Sequence, residues 1–290
     1  MKLKKHKKIS GSKLMIYILL SVWGFLILYP FYNAVLTSFM TEKEYIHSGF
    51  TLFLKEPTLD AYRFVFSYSK TWSGYLSTLL IVAVGVPFNL FLTVTLAYAL
   101  SRKAFPGKKI FNFIVVFTMY FSGGVIPSYL LIKSLGLINS LGAVILSYGV
   151  NTYYMIIIKN YFMGIPDSIE EAARIDGANE LMVLLKIYIP MSMPVLATFL
   201  LFFTVDRWNE WYNSMLYLTD ADKWPLQMVL REIISTTNNT LAANVSDLKT
   251  NFSMGIKMAA VVVTMAPIIA AFPFLQKHFI KGMMIGAVKE

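Results

Sequence analysis

The chain of 290 residues has no cysteine, which excludes disulfides and thiolate metal sites and gives no information on redox compartment. Histidine is nearly as scarce. His6, His47 and His278 stand far apart and offer no metal-ligand spacing such as H-E-x-x-H. There is no G-x-x-x-x-G-K-[ST] phosphate loop, since Gly107-Lys108-Lys109 lacks both the earlier glycine and the Ser/Thr. If ATP drives this protein, another chain must bind it. Nor does any nucleophile–base–acid spacing stand out, which leaves a membrane enzyme without a motif. Charge is also thin: 14% of residues are charged, against about 25% in soluble domains.

What fills the gap is apolar. Hydrophobic residues make up 57% of the chain, above the roughly 45–50% of an ordinary globular domain, so the excess must face lipid. A crossing helix needs about 20 mostly apolar residues. Six runs qualify, near 14–36, 75–100, 110–132, 140–160, 191–215 and 256–280. The expected fold is therefore an all-α membrane protein with six transmembrane helices. Residues 1–13 form a basic N-terminus, 14–280 the membrane domain and 281–290 a short tail. The run after Lys13 continues through Pro30 without a small-residue cleavage site, so it reads as a retained first span and not a removed signal. With six spans both ends share a side, and 16 of the 26 Lys and Arg fall there. The other ten are offset by acids, so the whole net charge of +10 lies with the termini. That bias places both termini in the cytoplasm. Anionic lipid accounts for the basic balance, and no nucleic acid is needed.

Between the fourth and fifth runs sits a polar island at 166–190. Asp167 with Glu170, or Ser168 with Glu171, can cap a helix start. Glu170 and Arg174 are spaced to pair along one side. Ile169, Ala172, Ala173 and Asp176 share another face, and the two alanines keep it thin enough for another protein to approach the backbone. Gly177 suits the left-handed position that ends a helix. Asn179 can cap a second short helix with Leu181, Leu184, Leu185 and Tyr188 as its stripe, closed by Pro190. The segment predicts a helix-turn-helix knob on a membrane face.

The spacing Glu171-Ala172-Ala173, three residues, Gly177, nine residues, Ile187, one residue, Ile189-Pro190 resembles the EAA loop of ABC-importer permeases. That family usually carries Leu where this chain has Ile189. Trp208-Asn209-Glu210-Trp211, Pro225-Leu226-Gln227 and the C-terminal stretch from Pro273 to Lys289 are similar to carbohydrate permeases, in particular the smaller membrane subunit of maltose-type importers. The resemblance covers essentially the whole chain. It implies a bacterial cell-membrane protein that pairs with a second permease, two cytoplasmic ATPases carrying ATP and Mg, and an external solute-binding protein that delivers a sugar. This chain itself would bind no cofactor and catalyse no reaction. Glu170 and Glu171 would meet basic residues of an ATPase, with Ala172, Ala173, Asp176 and Gly177 completing the coupling surface.

A solute path has candidates inside the runs. Polar groups there are costly and face protein or water. Gly123, Gly124 and Pro127 should break the third run near Tyr120 and Ser122, freeing backbone groups that also need protein or water. In the fourth run Ser147, Asn151 and Tyr154 fall on one helical face. A hydroxyl, an amide and a phenol in a row suit a sugar, and equally suit helix–helix hydrogen bonding. Asn209 closes the fifth run. Of the two long outer segments, 37–72 and 216–255, the second would meet the binding protein, or else serve as a disordered spacer. In the cluster Asp206-Arg207-Trp208-Asn209-Glu210 the charges predict a local ion pair between Arg207 and either acid. Those charges are also the only support for the rival reading, a secondary transporter driven by an ion gradient.

Overall fold

A computed structural model describes residues 11–47, 49, 51–242 and 253–287, with side chains left out at 237–242, 272 and 274–287. Most of the basic N-terminus and residues 288–290 thus lie outside the described residues, as do the side chains of the Pro-Phe-Leu-Gln stretch after Pro273. Within these limits all regular structure is helical. Three helices are long and apolar enough to cross a membrane: α1 (Gly11–Ser38), α4 (Ser69–Ser101) and the Ser253–Ala271 part of α15 (Ser253–Ala287). The third and fourth runs are each broken, and the fifth is preceded by a sharp bend. The broken runs are α5 (Lys108–Tyr120) with α6 (Val125–Ser134), bent by 115°, and α7 (Leu141–Ser147) with α8 (Thr152–Met163), bent by 52°. The stretch Glu180–Met191, which leads into the fifth run, meets α12 (Met193–Trp208) at 84°. Six crossings result if each bent pair counts as one.

The chain divides into two compact units. One comprises residues 1–67 and 233–264. Its α1 is apolar around its whole circumference and exposes residues from Leu14 to Tyr32, as a helix bathed in lipid would. Only the end of α1 is buried, at Leu36, Thr37 and Ser38. There Ser38 shares a hydrogen bond of 2.7 Å with Tyr62 of α3 (Asp60–Ser67), and the Phe39 and Tyr62 rings lie 4.8 Å apart. The outer segment between is folded. Its short α2 (Glu42–His47) brings the Glu44 carboxylate to the backbone N–H groups of Lys55 and Glu56, at 2.8 and 3.2 Å.

The second unit comprises residues 68–232 and 265–290. It is built around α4, which packs against α8 and α12. Their shared core includes Val94, Ala97, Leu100, Met155, Ile158, Phe162, Phe199 and Phe203. After α12 come α13 (Tyr212–Tyr217), a 3-10 turn at Ala221–Lys223 and α14 (Leu226–Ala242). The fifth run therefore ends at Trp208 and does not extend to 215. Asn209 and Glu210 end it, the Glu210 carboxylate accepting from the backbone N–H of Asn213 at 2.8 Å. The outer segment 216–255 is largely helix where it is described, residues 235–239 included, and Leu226 and Val229 are buried along the start of α14. Residues 243–252 lie outside the described residues. Glu232 on α14 holds the start of α4, taking hydrogen bonds from Tyr68 at 2.8 Å and Lys70 at 2.6 Å. Burial, followed by that carboxylate, raises the Tyr68 phenol above its usual range, so it remains a donor at neutral pH.

Candidate functional site

The polar island folds as a helix-turn-helix. α9 (Asp167–Ile175) is followed by a turn, then by α10 (Glu180–Val183), a π-helical turn at Leu184–Tyr188 and α11 (Ile189–Met191) in one continuous rod. Gly177 has φ +82°, the left-handed region open to glycine. The N–H of Gly177 bonds the carbonyl of Arg174 at 3.0 Å, and that of Ala178 bonds the carbonyl of Ala173 at 2.9 Å. This is the paired closure of a Schellman turn. Asn179 caps α10, its side chain accepting from the N–H of Met182 at 2.8 Å. Glu170 and Arg174 pair at 3.0 Å.

Four local expectations are corrected. Neither Asp167 nor Ser168 caps α9. Pro166 takes that position in extended geometry, and the Asp167 carboxylate is drawn to Lys103 instead. The stripe on the second helix is Val183, Leu184 and Tyr188, while Leu181 and Leu185 are exposed. A π-helical turn follows at Leu184–Tyr188. That same turn absorbs Pro190, which lacks an N–H, so the rod runs on to Met191 and breaks at Ser192. Finally, Glu170 does not point outward. It is 7% exposed, and its carboxylate meets Arg102, the C-cap of α4, together with Arg174 and the Tyr188 hydroxyl at 3.2 Å. Glu171, Ala172, Asp176 and Gly177 are exposed, and Ala173 is half-buried. Beneath α9 an open cleft of about 660 Å³ is lined by Arg102, Phe105, Lys108, Asp167, Glu171 and Glu180, among others.

A second constellation lies at the break in the fourth run. Ser147, Asn151 and Tyr154 do not share one continuous helical face, because residues 148–151 separate α7 from α8. Asn151 instead caps α8, accepting from the N–H of Tyr154 at 3.2 Å. The fold still gathers two of the three. Asn151 donates to the Tyr148 hydroxyl at 2.9 Å, and the Tyr148 and Tyr154 hydroxyls both donate to Asp206 at 3.1 Å. Tyr154 also sits within 5.1 Å of the Phe199 and Phe203 rings. Ser147 bonds back to the carbonyl of Val144 at 3.1 Å and takes no part. Tyr120 and Ser122 lie at the other break, where residues 121–124 are all exposed and Ser122 accepts from the Gly124 N–H at 3.3 Å. The two breaks approach through the Thr118 and Thr152 hydroxyls, 3.3 Å apart. Asn209 stands elsewhere, accepting from Gln227 at 3.0 Å.

Arg207 overturns the expected local ion pair. It is 1% exposed and turns from its charged neighbours toward the broken helix. Its Nε donates to the Asn89 side-chain oxygen at 2.8 Å, and its two terminal nitrogens reach the carbonyls of Val144, Ile145 and Tyr148 at 2.8–3.0 Å. Asn89 in turn donates to the carbonyls of Tyr148 and, at 2.7 Å, Gly149. Freed carbonyls in a membrane interior need donors, and a guanidinium fork supplies several at once. With Arg207 held this way and Glu210 capping α13, the ion-gradient reading keeps only Asp206. Sequence reasoning missed Asn89 and Arg102. An amide inside an apolar run was a signal for the first, whereas Arg102 was counted only as a positive charge at a span end.

Comparison with known proteins places this arrangement. Residues 61–285 match the model of the family described as the binding-protein-dependent transport system inner membrane component. The chain is 44% identical to Protein LplC of Bacillus subtilis over 92% of its own length and 90% of that protein's. It is 39% identical to the polygalacturonan/rhamnogalacturonan transport system permease protein YtcP of the same organism, over 92% and 96%. A chain from the crystal structure of a bacterial ABC transporter involved in the import of the acidic polysaccharide alginate superposes with a TM-score of 0.85. That chain is 31% identical, and the match covers 94% of this protein and all of the other.

Proposed function

The chain belongs to the family of binding-protein-dependent transport system inner membrane components, and from that premise we propose that it is one of two permease subunits of a bacterial sugar importer, its cargo an oligosaccharide. The reading adds a second permease, two cytoplasmic ATPases that hold ATP and Mg, and an external binding protein. Both termini and the 166–190 knob then lie in the cytoplasm. The single observation that carries it is α9. It is a short helix stiffly closed at Gly177 and anchored on its inner side by Glu170, with Glu171, Ala172 and Asp176 presented outward. Such a helix fits a groove on an ATPase. Closure of the ATPases would move the knob as a lever, shifting α8 before it and the α10–α12 segment after it.

Purification of the tagged chain in mild detergent should bring along an ATPase with a phosphate loop and a second permease, identified by mass spectrometry. A chain that purifies alone and still binds solute would contradict the importer reading. The cluster of Tyr148, Asn151, Tyr154 and Asp206 is the sugar-facing site on this subunit, with Tyr120 and Ser122 at the neighbouring break. Its hydroxyls and carboxylate suit sugar hydroxyls, and the aromatic rings suit C–H faces. Tyr154→Phe removes one hydrogen bond, about 1 kcal/mol, and should slow ATP-driven uptake of the oligosaccharide severalfold. Assembly should be unchanged. An unaltered initial rate would remove Tyr154 from the path.

A further inference from the structure

Chain continuity ties α9 to α8 on one side and to α10 on the other. Nothing in the sequence ties it to α4. We propose that the Arg102–Glu170 pair is the positioning contact through which motion of α9 drives α4, and through α4 the polar break at 148–151; the inference rests on the importer reading above.

The pair is set where it can bear such a load. The Arg102 and Glu170 side chains are only 16% and 9% exposed, whereas the neighbouring Lys103–Asp167 pair is 81% and 57% exposed. Water and salt screen the second pair, and exposed pairs of that kind hold little. The Arg102 guanidinium lies 5.2 Å from the centres of the Tyr98 and Tyr188 rings and donates to the Tyr188 hydroxyl, which donates to Glu170. Tyr98, Phe162 and Tyr188 meet edge to face, with centroids 5.0–6.4 Å apart. Tyr98 adds a hydrogen bond to Glu180 at 2.7 Å. Lys108 closes the end of α4 through the carbonyls of Ser101 and Arg102, both at 3.0 Å. The end of α4 and both arms of the knob therefore form one stiff piece.

The other end of the route is equally defined. α4 carries Asn89, and Asn89 holds the carbonyls of Tyr148 and Gly149 and the guanidinium of Arg207. A displacement at Arg102 thus travels along one helix to the residue that clamps the break, beside the Tyr148, Tyr154 and Asp206 cluster.

The lack of cysteine allows a direct test on the assembled importer. Ser147→Cys gives this chain a single thiol at the break, and Ser147 bonds only its own helix. Labelling by a membrane-impermeant maleimide is compared in nucleotide-free and vanadate-trapped complexes. With Arg102 and Glu170 intact, the labelling rate should differ between the two states on the order of tenfold. Glu170→Gln, nearly isosteric, and Arg102→Gln should bring that ratio close to one while ATP hydrolysis continues. Arg102→Lys, which keeps the charge, should restore most of it. A merely structural role would lower the yield of complex and leave the ratio alone. A ratio that persists in the Glu170→Gln complex overturns the proposal. A ratio of one in the complex with both residues intact also overturns it, because motion of α9 then does not reach the break, whereas failure of the importer reading shows earlier, as a chain that purifies without an ATPase to trap.

Discussion

Replacing Arg207 with methionine is expected to destabilise the protein by on the order of 3 kcal/mol, the largest effect of any single substitution considered. The substitution strips the guanidinium from the carbonyls of Val144, Ile145 and Tyr148 and from the Asn89 side chain. Tyr148 keeps Asn89 and Val144 keeps the Ser147 hydroxyl, so the loss concentrates on Ile145 and Asn89. Removal of a buried charge returns part of this, which is why the estimate stays below the sum of the lost bonds. Against a total stability of about 5–15 kcal/mol, such a loss should appear as a lowered melting temperature in detergent and a smaller monodisperse fraction. Arg207→Lys should fall between, since one ammonium cannot reach four acceptors in the fork geometry. Gly85 provides an independent check: a Cβ there would stand 3.0 Å from Arg207 Nε, so Gly85→Val should reproduce part of the defect. A methionine variant that melts like the parent would mean that the α7 carbonyls find other donors.

Valine at Gly177 should largely uncouple transport while leaving the protein inserted. A Cβ at this position meets nothing within 4 Å, so packing within the chain is not the obstacle. The obstacle is φ +82°, where a β-branched residue is strained by about 1–2 kcal/mol. Relief of that strain opens the Schellman turn and lets α9 swing on its α10 arm. ATP-driven uptake should fall on the order of tenfold, with membrane abundance and basal ATP hydrolysis retained. Gly177→Asn, which tolerates the left-handed region better than valine, should keep more uptake than Gly177→Val. Unchanged uptake in the valine variant would show that the knob does not act as a lever.

Much of the knob was legible because its signals are local. A glycine that must take positive φ, an asparagine three residues before the N–H it caps, and a Glu–Arg pair four apart each depend on a few neighbours. Where a residue had partners from afar, the local rule failed. Asp167 lost its cap role to Lys103, and Glu170 turned inward to Arg102, 68 positions away in the chain. Breaks were half legible. The glycines at 123 and 124 announced the first, but the fourth run shows no proline between 141 and 163 and reads as one helix. What interrupts it is the supply of donors from Asn89 and Arg207, more than 50 residues away on either side.

By itself, then, the sequence determined the class of molecule: apolar runs of crossing length, a polar knob with a defined turn, and no nucleotide or metal motif of its own. These follow from composition, from 3.6-residue periodicity and from the φ preference of glycine, which need no knowledge of distant residues. The tertiary structure alone decided that the fourth run is broken, which carboxylate faces inward, and that Arg207 serves backbone carbonyls and not its neighbouring acids. The physical reason is that in a low-dielectric interior every freed carbonyl and every buried charge must find a partner. Partners of that kind are fixed by helix packing, not by distance along the chain.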